Sequence, residues 1–347
     1  MRTLEWDTET NRLKMIDQRV LPSVFSYIYL DSYQSVAESI RDMAVRGAPA
    51  IGVAAAYGMV LAAYQSKSDT ATQLISDLSN AAEVLNGTRP TAVNLGWAIK
   101  RMLNVASKSR GSIEEIRNSM LEEAAIMADE DVETNKRLSA YGAELINDGD
   151  TIIHHCNTGS LATVDWGTAL GVIRMAHEQG KRIHVLVDET RPRLQGARLT
   201  TWELKQYGIP FDLITDNAAG YFLHSGQVEK VIFGADRVAA NGDVANKIGS
   251  YMLALAANAN DVPVYSAFPT STIDFSLRTG DEIKIEERSD EEVLKLSLMG
   301  NPVTPSGISA RNPAFDVTSH TLISGWITEL GVISEPFEKN MKEIKNI

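Results

Sequence analysis

The stretch Thr151-Ile152-Ile153-His154-His155-Cys156-Asn157-Thr158-Gly159-Ser160 joins an apolar, β-branched run to a turn of small residues, and its reading decides the fold. The run predicts a buried strand, and the turn predicts an amphipathic helix opening directly behind it. The same rhythm returns downstream. Strand-like runs at Arg182 to Asp188, Phe211 to Thr215, Lys230 to Gly234 and Val262 to Phe268 alternate with helical stretches. Strand and helix in alternation imply right-handed crossovers and an α/β, doubly wound parallel sheet of the Rossmann-like kind. Ligands of such sheets bind beyond the carboxyl ends of the strands. Cys156, Asp188, Asp216, Asp236 and the cluster Thr270-Ser271-Thr272 all fall there.

Ahead of this region the pattern is mainly helical, with helices expected at Ser35 to Met43, Pro49 to Gln65, Thr70 to Leu85 and Ala92 to Val105. Ser112-Ile113-Glu114-Glu115 then reads as a capping box. It starts a helix whose apolar residues Ile113, Ile116, Met120, Ala124 and Met127 recur at three and four spacing, until Gly149-Asp150 close the helical region. A chain of 347 residues exceeds the ~250–300 at which one core stops growing. Two domains are therefore expected, a smaller one over 1–130 and a larger catalytic one over 131–347, with no internal repeat or flexible linker between them.

Composition narrows the function. Lys and Arg number 33 against 45 Asp and Glu, a net charge of −12, which argues against a general nucleic-acid or membrane-surface binder. Any phosphate site must be local. A single cysteine forms no intrachain disulfide and suits a reducing compartment. Met1 to Leu13 carries no apolar leader core, and no apolar run near 18 residues is evident. A soluble cytoplasmic protein is the expectation.

Three kinds of residue then suggest chemistry. Cys156, read at a helix N-terminus, faces unpaired N–H groups and a dipole that favour thiolate, although a small buried hydrophobe fits the same position. Asp236, in Gly234-Ala235-Asp236-Arg237, ends a strand at the mouth of the sheet, where burial would raise its pKa toward a general acid. A plain turn cap is the alternative. Arg46 in Arg46-Gly47-Ala48-Pro49 and Arg89 in Thr88-Arg89-Pro90 stand at expected helix starts, where guanidinium forks and free amides suit a phosphorylated small molecule; a surface ion pair remains open for each. Asn246-Lys247 is read at another helix start. Neither a Gly-x-Gly-x-x-Gly fingerprint nor a P-loop is present. His154 and His155, adjacent on a strand, point to opposite faces and cannot share a metal by themselves. No cofactor and no metal are expected.

Together these segments resemble the methylthioribose-1-phosphate isomerase family. The matching stretches are RGAPAIG from Arg46, TRPTAVNL from Thr88, HCNTGSLAT from His155, DETRPRLQG from Asp188, GADR from Gly234, NGDVANKIG from Asn241, IEER from Ile285 and NPAFDVT from Asn312. They run in order through nearly the whole chain. The resemblance implies conversion of 5-methylthioribose 1-phosphate to 5-methylthioribulose 1-phosphate in methionine salvage, with relatives acting on 5-deoxyribose 1-phosphate or ribose 1,5-bisphosphate. It also implies a helical N-terminal domain with a small antiparallel sheet, a Rossmann-like domain and a homodimer. By motif, Cys156 and Asp236 match the family's catalytic pair. Arg46, Gly47, Ala48, Arg89, Gln195, Asn246 and Lys247 match its substrate-contacting positions. His154, Ala218, Phe268 and Ser319 depart from the usual pattern, which suggests a reshaped pocket for the 5-substituent. The same superfamily includes non-catalytic regulatory subunits of a translation-initiation exchange factor, which generally lack the cysteine and the aspartate.

Overall fold

The computed structural model describes residues 1–89, 93–109, 111–337, 339–340 and 343. The chain forms two compact units, Met1–Lys136 with Thr158–Gly167, and Arg137–Asn157 with Thr168–Ile347. This division differs from a boundary at 130. The helix over Ile113–Ala143 runs unbroken through both positions, so its apolar spacing carries no mark of where one unit ends.

The first unit opens with an antiparallel meander of β1 (Leu4–Asp7), β2 (Arg12–Ile16) and β3 (Tyr27–Leu30), the small sheet that the resemblance implied. Helices α1 (Tyr33–Arg41), α2 (Ala48–Gln65), α3 (Ala71–Asn86) and α4 (Val93–Lys108) follow, and then α5 (Ile113–Ala143). Ser32 caps α1 by accepting the Ser35 N–H at 3.2 Å, and Thr70 caps α3 from the Gln73 N–H at 3.3 Å. At α5 the expected capping box forms, with Ser112 Oγ accepting the Glu115 N–H at 3.3 Å and Glu115 Oε2 accepting the Ser112 N–H at 2.7 Å.

α2 corrects one expectation. Its 18 residues are long and apolar enough to cross a membrane, but 78% of that window is buried within the protein. Leu13, Val36, Leu78, Leu95 and Met120 belong to the same core cluster as its Ile51, Val53 and Met59. A helix apolar on every side is what a central core position calls for.

The second unit holds, among the described residues, a seven-stranded sheet in the order β16-β15-β10-β7-β4-β5-β6. Its strands are β4 (Thr151–His154), β5 (His184–Asp188), β6 (Phe211–Ile214), β7 (Lys230–Phe233), β10 (Val264–Ala267), β15 (Gly325–Thr328) and β16 (Gly331–Ile333). Neighbours pair in parallel except at the β15–β16 edge. Helices α6 (Ala169–Glu178), α7 (Thr201–Tyr207), α8 (Ala219–His224) and α9 (Ser250–Asn258) occupy the crossovers. The chain winds outward from β4 to β6 and then returns to add β7 on the other flank of β4. That reversal makes the ends of β4 and β7 the topological switch point, where doubly wound sheets take their ligands.

A second sheet, ordered β11-β8-β9-β14, adds β8 (Arg237–Ala239), β9 (Val244–Lys247), β11 (Ile273–Asp274) and β14 (Phe315–Thr318). Ser297–Leu298 (β12) and Asn301–Pro302 (β13) form a short antiparallel hairpin.

Candidate active site

Cys156 lies two residues beyond β4, and Asp236 three residues beyond β7. The two strands are hydrogen-bonded neighbours whose register pairs His154 with Ile232, so both residues emerge from adjacent strands at one end of the sheet. No helix opens behind Cys156. The segment makes a single 3-10 turn over Ser160–Ala162, and α6 begins only at Ala169. The helix-dipole argument for a thiolate therefore fails at this residue.

A different constraint acts on it. Cys156 is buried, with φ at +68°, a left-handed backbone that costs a non-glycine residue about 1–3 kcal/mol. Its N–H donates to Thr190 Oγ1 at 2.9 Å, and its carbonyl accepts the Thr200 hydroxyl at 2.7 Å. The next side chain, Asn157, donates to Thr200 Oγ1 at 3.2 Å and to the buried Glu203 carboxylate at 2.8 Å.

His155 and His154 are both buried. His154 Nδ1 lies 2.9 Å from the Ile232 carbonyl, and burial lowers its pKa to about 4. His155 presents Nδ1 to Asp188 Oδ2 at 2.8 Å and Nε2 to the Ile248 carbonyl at 2.9 Å. Since a carbonyl only accepts, Nε2 carries a proton. Burial, the largest single influence, would lower the His155 pKa, but the hydrogen bond to Asp188, the charges of Asp188 and Asp216 and the bond to the Ile248 carbonyl together raise it. Burial pushes the Asp188 carboxyl up to about 6.

His155, Asp188 and Asp216 also form the one group, among the described residues, whose ligand atoms lie close enough for a metal, within 4.8 Å of one another. Most of those atoms are already engaged. Both His155 nitrogens are bonded, and Asp216 accepts the N–H groups of Thr190 and Arg191 at 2.7 and 2.8 Å. The donor set fits a hydrogen-bond network better than a coordination shell.

Asp236 is half-buried, and its N–H donates to the Ala245 carbonyl at 2.9 Å, tying the turn after β7 to β9. Asn246 and Lys247 finish β9 instead of starting a helix; α9 begins at Ser250. The β-branched Val244 and the pairing with β14 extend the strand to that point. Both side chains are buried. Asn246 Nδ2 donates to Ser250 Oγ at 2.8 Å, while the Lys247 ammonium donates to the Ala314 carbonyl at 2.7 Å and lies 4.4 Å from the Phe315 ring centroid. Gln195 is 94% buried, and no described residue bonds its Oε1. Sequence reasoning missed the threonines around Cys156.

In the first unit, Arg46 is half-buried and Gly47 caps α2 with no side-chain hydrogen bond, so the first N–H groups of an 18-residue helix start beside a guanidinium and the Ala48-Pro49 pair. Arg89 is half-buried, four residues before α4; Pro90, Thr91 and Ala92 of its motif lie outside the described residues. Of the four departures, His154 and Phe268 are packed in the core.

Residues 44–335 match the model of the initiation factor 2 subunit family. The methylthioribose-1-phosphate isomerase of Thermosipho africanus is 52% identical over 99% of this chain and 97% of its own length. The chain belongs to this family, on its isomerase branch. The crystal structure of the 5-methylthioribose 1-phosphate isomerase of Pyrococcus horikoshii has a TM-score of 0.91 and 45% identity, covering 99% of this chain and 96% of its own. A structure described as the translation initiation factor eIF-2B, subunit delta, from A. fulgidus has a TM-score of 0.88 and 44% identity, with both chains covered in full. The chain is thus an isomerase with the α/β fold of that family, its Rossmann-like sheet accompanied by a helical region that carries a small antiparallel sheet.

Proposed function

We propose that this chain converts 5-methylthioribose 1-phosphate to 5-methylthioribulose 1-phosphate, a step of methionine salvage, with Cys156 and Asp236 as the catalytic pair. The observation that supports these roles is the emergence of the only thiol and of Asp236 from neighbouring strands at the switch point.

Phosphate on C1 locks the sugar ring, so no free aldehyde forms. Asp236, in its acid form, protonates the ring oxygen as the bond from C1 opens. A hydrogen then moves from C2 to C1. As a proton, it is taken from C2 by the Cys156 thiolate and returned at C1 through an enol intermediate. As a hydride, it shifts directly and Cys156 acts electrostatically; in either route the C2 hydroxyl gives its proton to the Asp236 carboxylate left by the first step, which forms the ketone and restores the acid. Arg46, Gly47, Ala48 and Arg89 hold the phosphate, and Gln195, Asn246 and Lys247 meet sugar hydroxyls or phosphate. No nucleic acid or membrane enters the reaction. The chain works in the cytoplasm as a homodimer; exposed Tyr221 and Met252 on the paired helices α8 and α9 support an association face.

Turnover of this sugar, of 5-deoxyribose 1-phosphate and of ribose 1,5-bisphosphate in deuterated water tests the reading. Methylthioribose 1-phosphate should react fastest, and solvent deuterium at C1 of the ketose would favour the proton route. Cys156→Ser and Asp236→Asn should each fold, still bind substrate and lose at least ~10²-fold in turnover. Near-normal turnover in either removes that residue from the mechanism. If none of the three sugars reacts, the substrate assignment is wrong.

A further inference from the structure

Thr190 shares the unusual backbone of Cys156. Its φ is +62°, a true outlier for a β-branched side chain, and the two residues hydrogen-bond to one another. Thr190 is held there from several directions. Its hydroxyl donates to the Asp188 carbonyl at 3.0 Å while accepting the Cys156 N–H, and Asp216 takes the N–H groups of Thr190 and Arg191. Gly196 seats against the same turn, where an added Cβ would lie 1.7 Å from the Asp188 carbonyl oxygen and 3.0 Å from Thr190 Oγ1. Thr200 reaches Cys156 from the end of a π-wound turn over Gly196–Thr200, a rare winding that is frequent at functional sites. Both threonines are fully buried.

We propose that Thr190 and Thr200 are positioning residues that fix the direction in which the Cys156 thiol projects. The inference rests on the reading of Cys156 as catalytic. With its N–H held by one hydroxyl and its carbonyl by the other, φ and ψ of Cys156 are set from both sides, and the thiol keeps only its χ1 rotation. Remove either hydroxyl and the backbone is free to relax toward the extended or right-handed regions that a residue with a Cβ prefers. Sγ then moves with Cβ. A displacement of about 1 Å in a reacting group costs on the order of 10²-fold in rate. The directions of the hydrogen bonds agree with this role: each hydroxyl accepts one N–H and donates to one carbonyl, so neither is free to turn away.

Valine is close in shape to threonine and lacks the hydroxyl, while serine keeps it. The test compares Thr190→Val, Thr200→Val, Thr190→Ser and Thr200→Ser with the wild type and with Cys156→Ser. It reads kcat and KM for methylthioribose 1-phosphate, and the rate of iodoacetamide labelling against pH, which in a one-cysteine chain reports Cys156 alone. Each valine variant should lose at least tenfold in kcat with KM within threefold, and should label at a rate at least threefold different. Each serine variant should stay within twofold of wild type on both measures. If a valine variant does not fold, the alanine variant is read in its place with the same expectation. Valine variants with wild-type kcat and labelling, whatever their melting temperature, would reduce the threonines to partners for buried backbone groups and overturn the inference. So would serine variants that fall as far as valine. Normal turnover by Cys156→Ser overturns the catalytic reading itself, and is visible without reference to either threonine.

Discussion

Gly47 stands before α2 with φ at +95°, and a Cβ there would lie 2.2 Å from the Ala162 carbonyl oxygen. No larger side chain fits the approach of these two backbones. Gly47→Ala is expected to cost about 2–4 kcal/mol, combining left-handed strain with the clash, read as a fall in the urea midpoint. An unchanged midpoint would contradict the close contact. Asp131, on α5, gives a pH signature of its own. Burial, reinforced by the like charge of Asp165, pushes its carboxyl up to about 7, against the opposing hydrogen bond from the Val164 N–H at 2.8 Å. An acid with a folded-state pKa above its unfolded value of about 4 takes up a proton on folding. Its contribution to stability is therefore complete below about pH 4 and is lost as pH rises toward 7. Asp131→Asn should flatten the stability profile across that window. A profile as steep as the wild type would show that other groups carry it.

Among the elements, α5 opens on a start that was legible from residue types alone. Ser112→Ala should remove one N-terminal acceptor and destabilise by about 1 kcal/mol, measured by chemical unfolding. The parallel strands were legible for a similar reason: the inner ones, β4, β7 and β10, are short, largely buried apolar runs, and each expected strand overlaps an observed one. The second sheet was not. β8, β9 and β11 are two to four residues long, too short for a period-two pattern to rise above background. Asn246 and Lys247 were consequently read into a helix. The segment behind Cys156 misled in another way, because Gly and Ser after a strand are as compatible with the observed 3-10 turn as with a helix cap. Of the candidate site, the residue types could be read from their motifs. The left-handed backbone at Cys156 and the threonines that hold it are products of tertiary contacts between residues 34 and 44 positions apart.

At the scale of the molecule, the exposed pair Tyr221 and Met252, at 68% and 67% exposure, is where association is expected. Met252→Lys should shift the sedimentation coefficient toward that of the monomer, by placing a charge in an apolar contact. A wild-type coefficient would move the interface elsewhere. The order in which the chain supplies its parts has a further consequence. The first unit is complete only with residue 167, after β4 has already been made, and the sixth parallel strand of the second unit, β15, arrives with residues 325–328. Ribosomes add roughly 5–20 residues per second, so β10 waits roughly 3–12 s as an open sheet edge, apolar and unpaired, before its outer neighbour is synthesised. A nascent chain stalled in that interval is the form of this protein that a chaperone would be expected to hold.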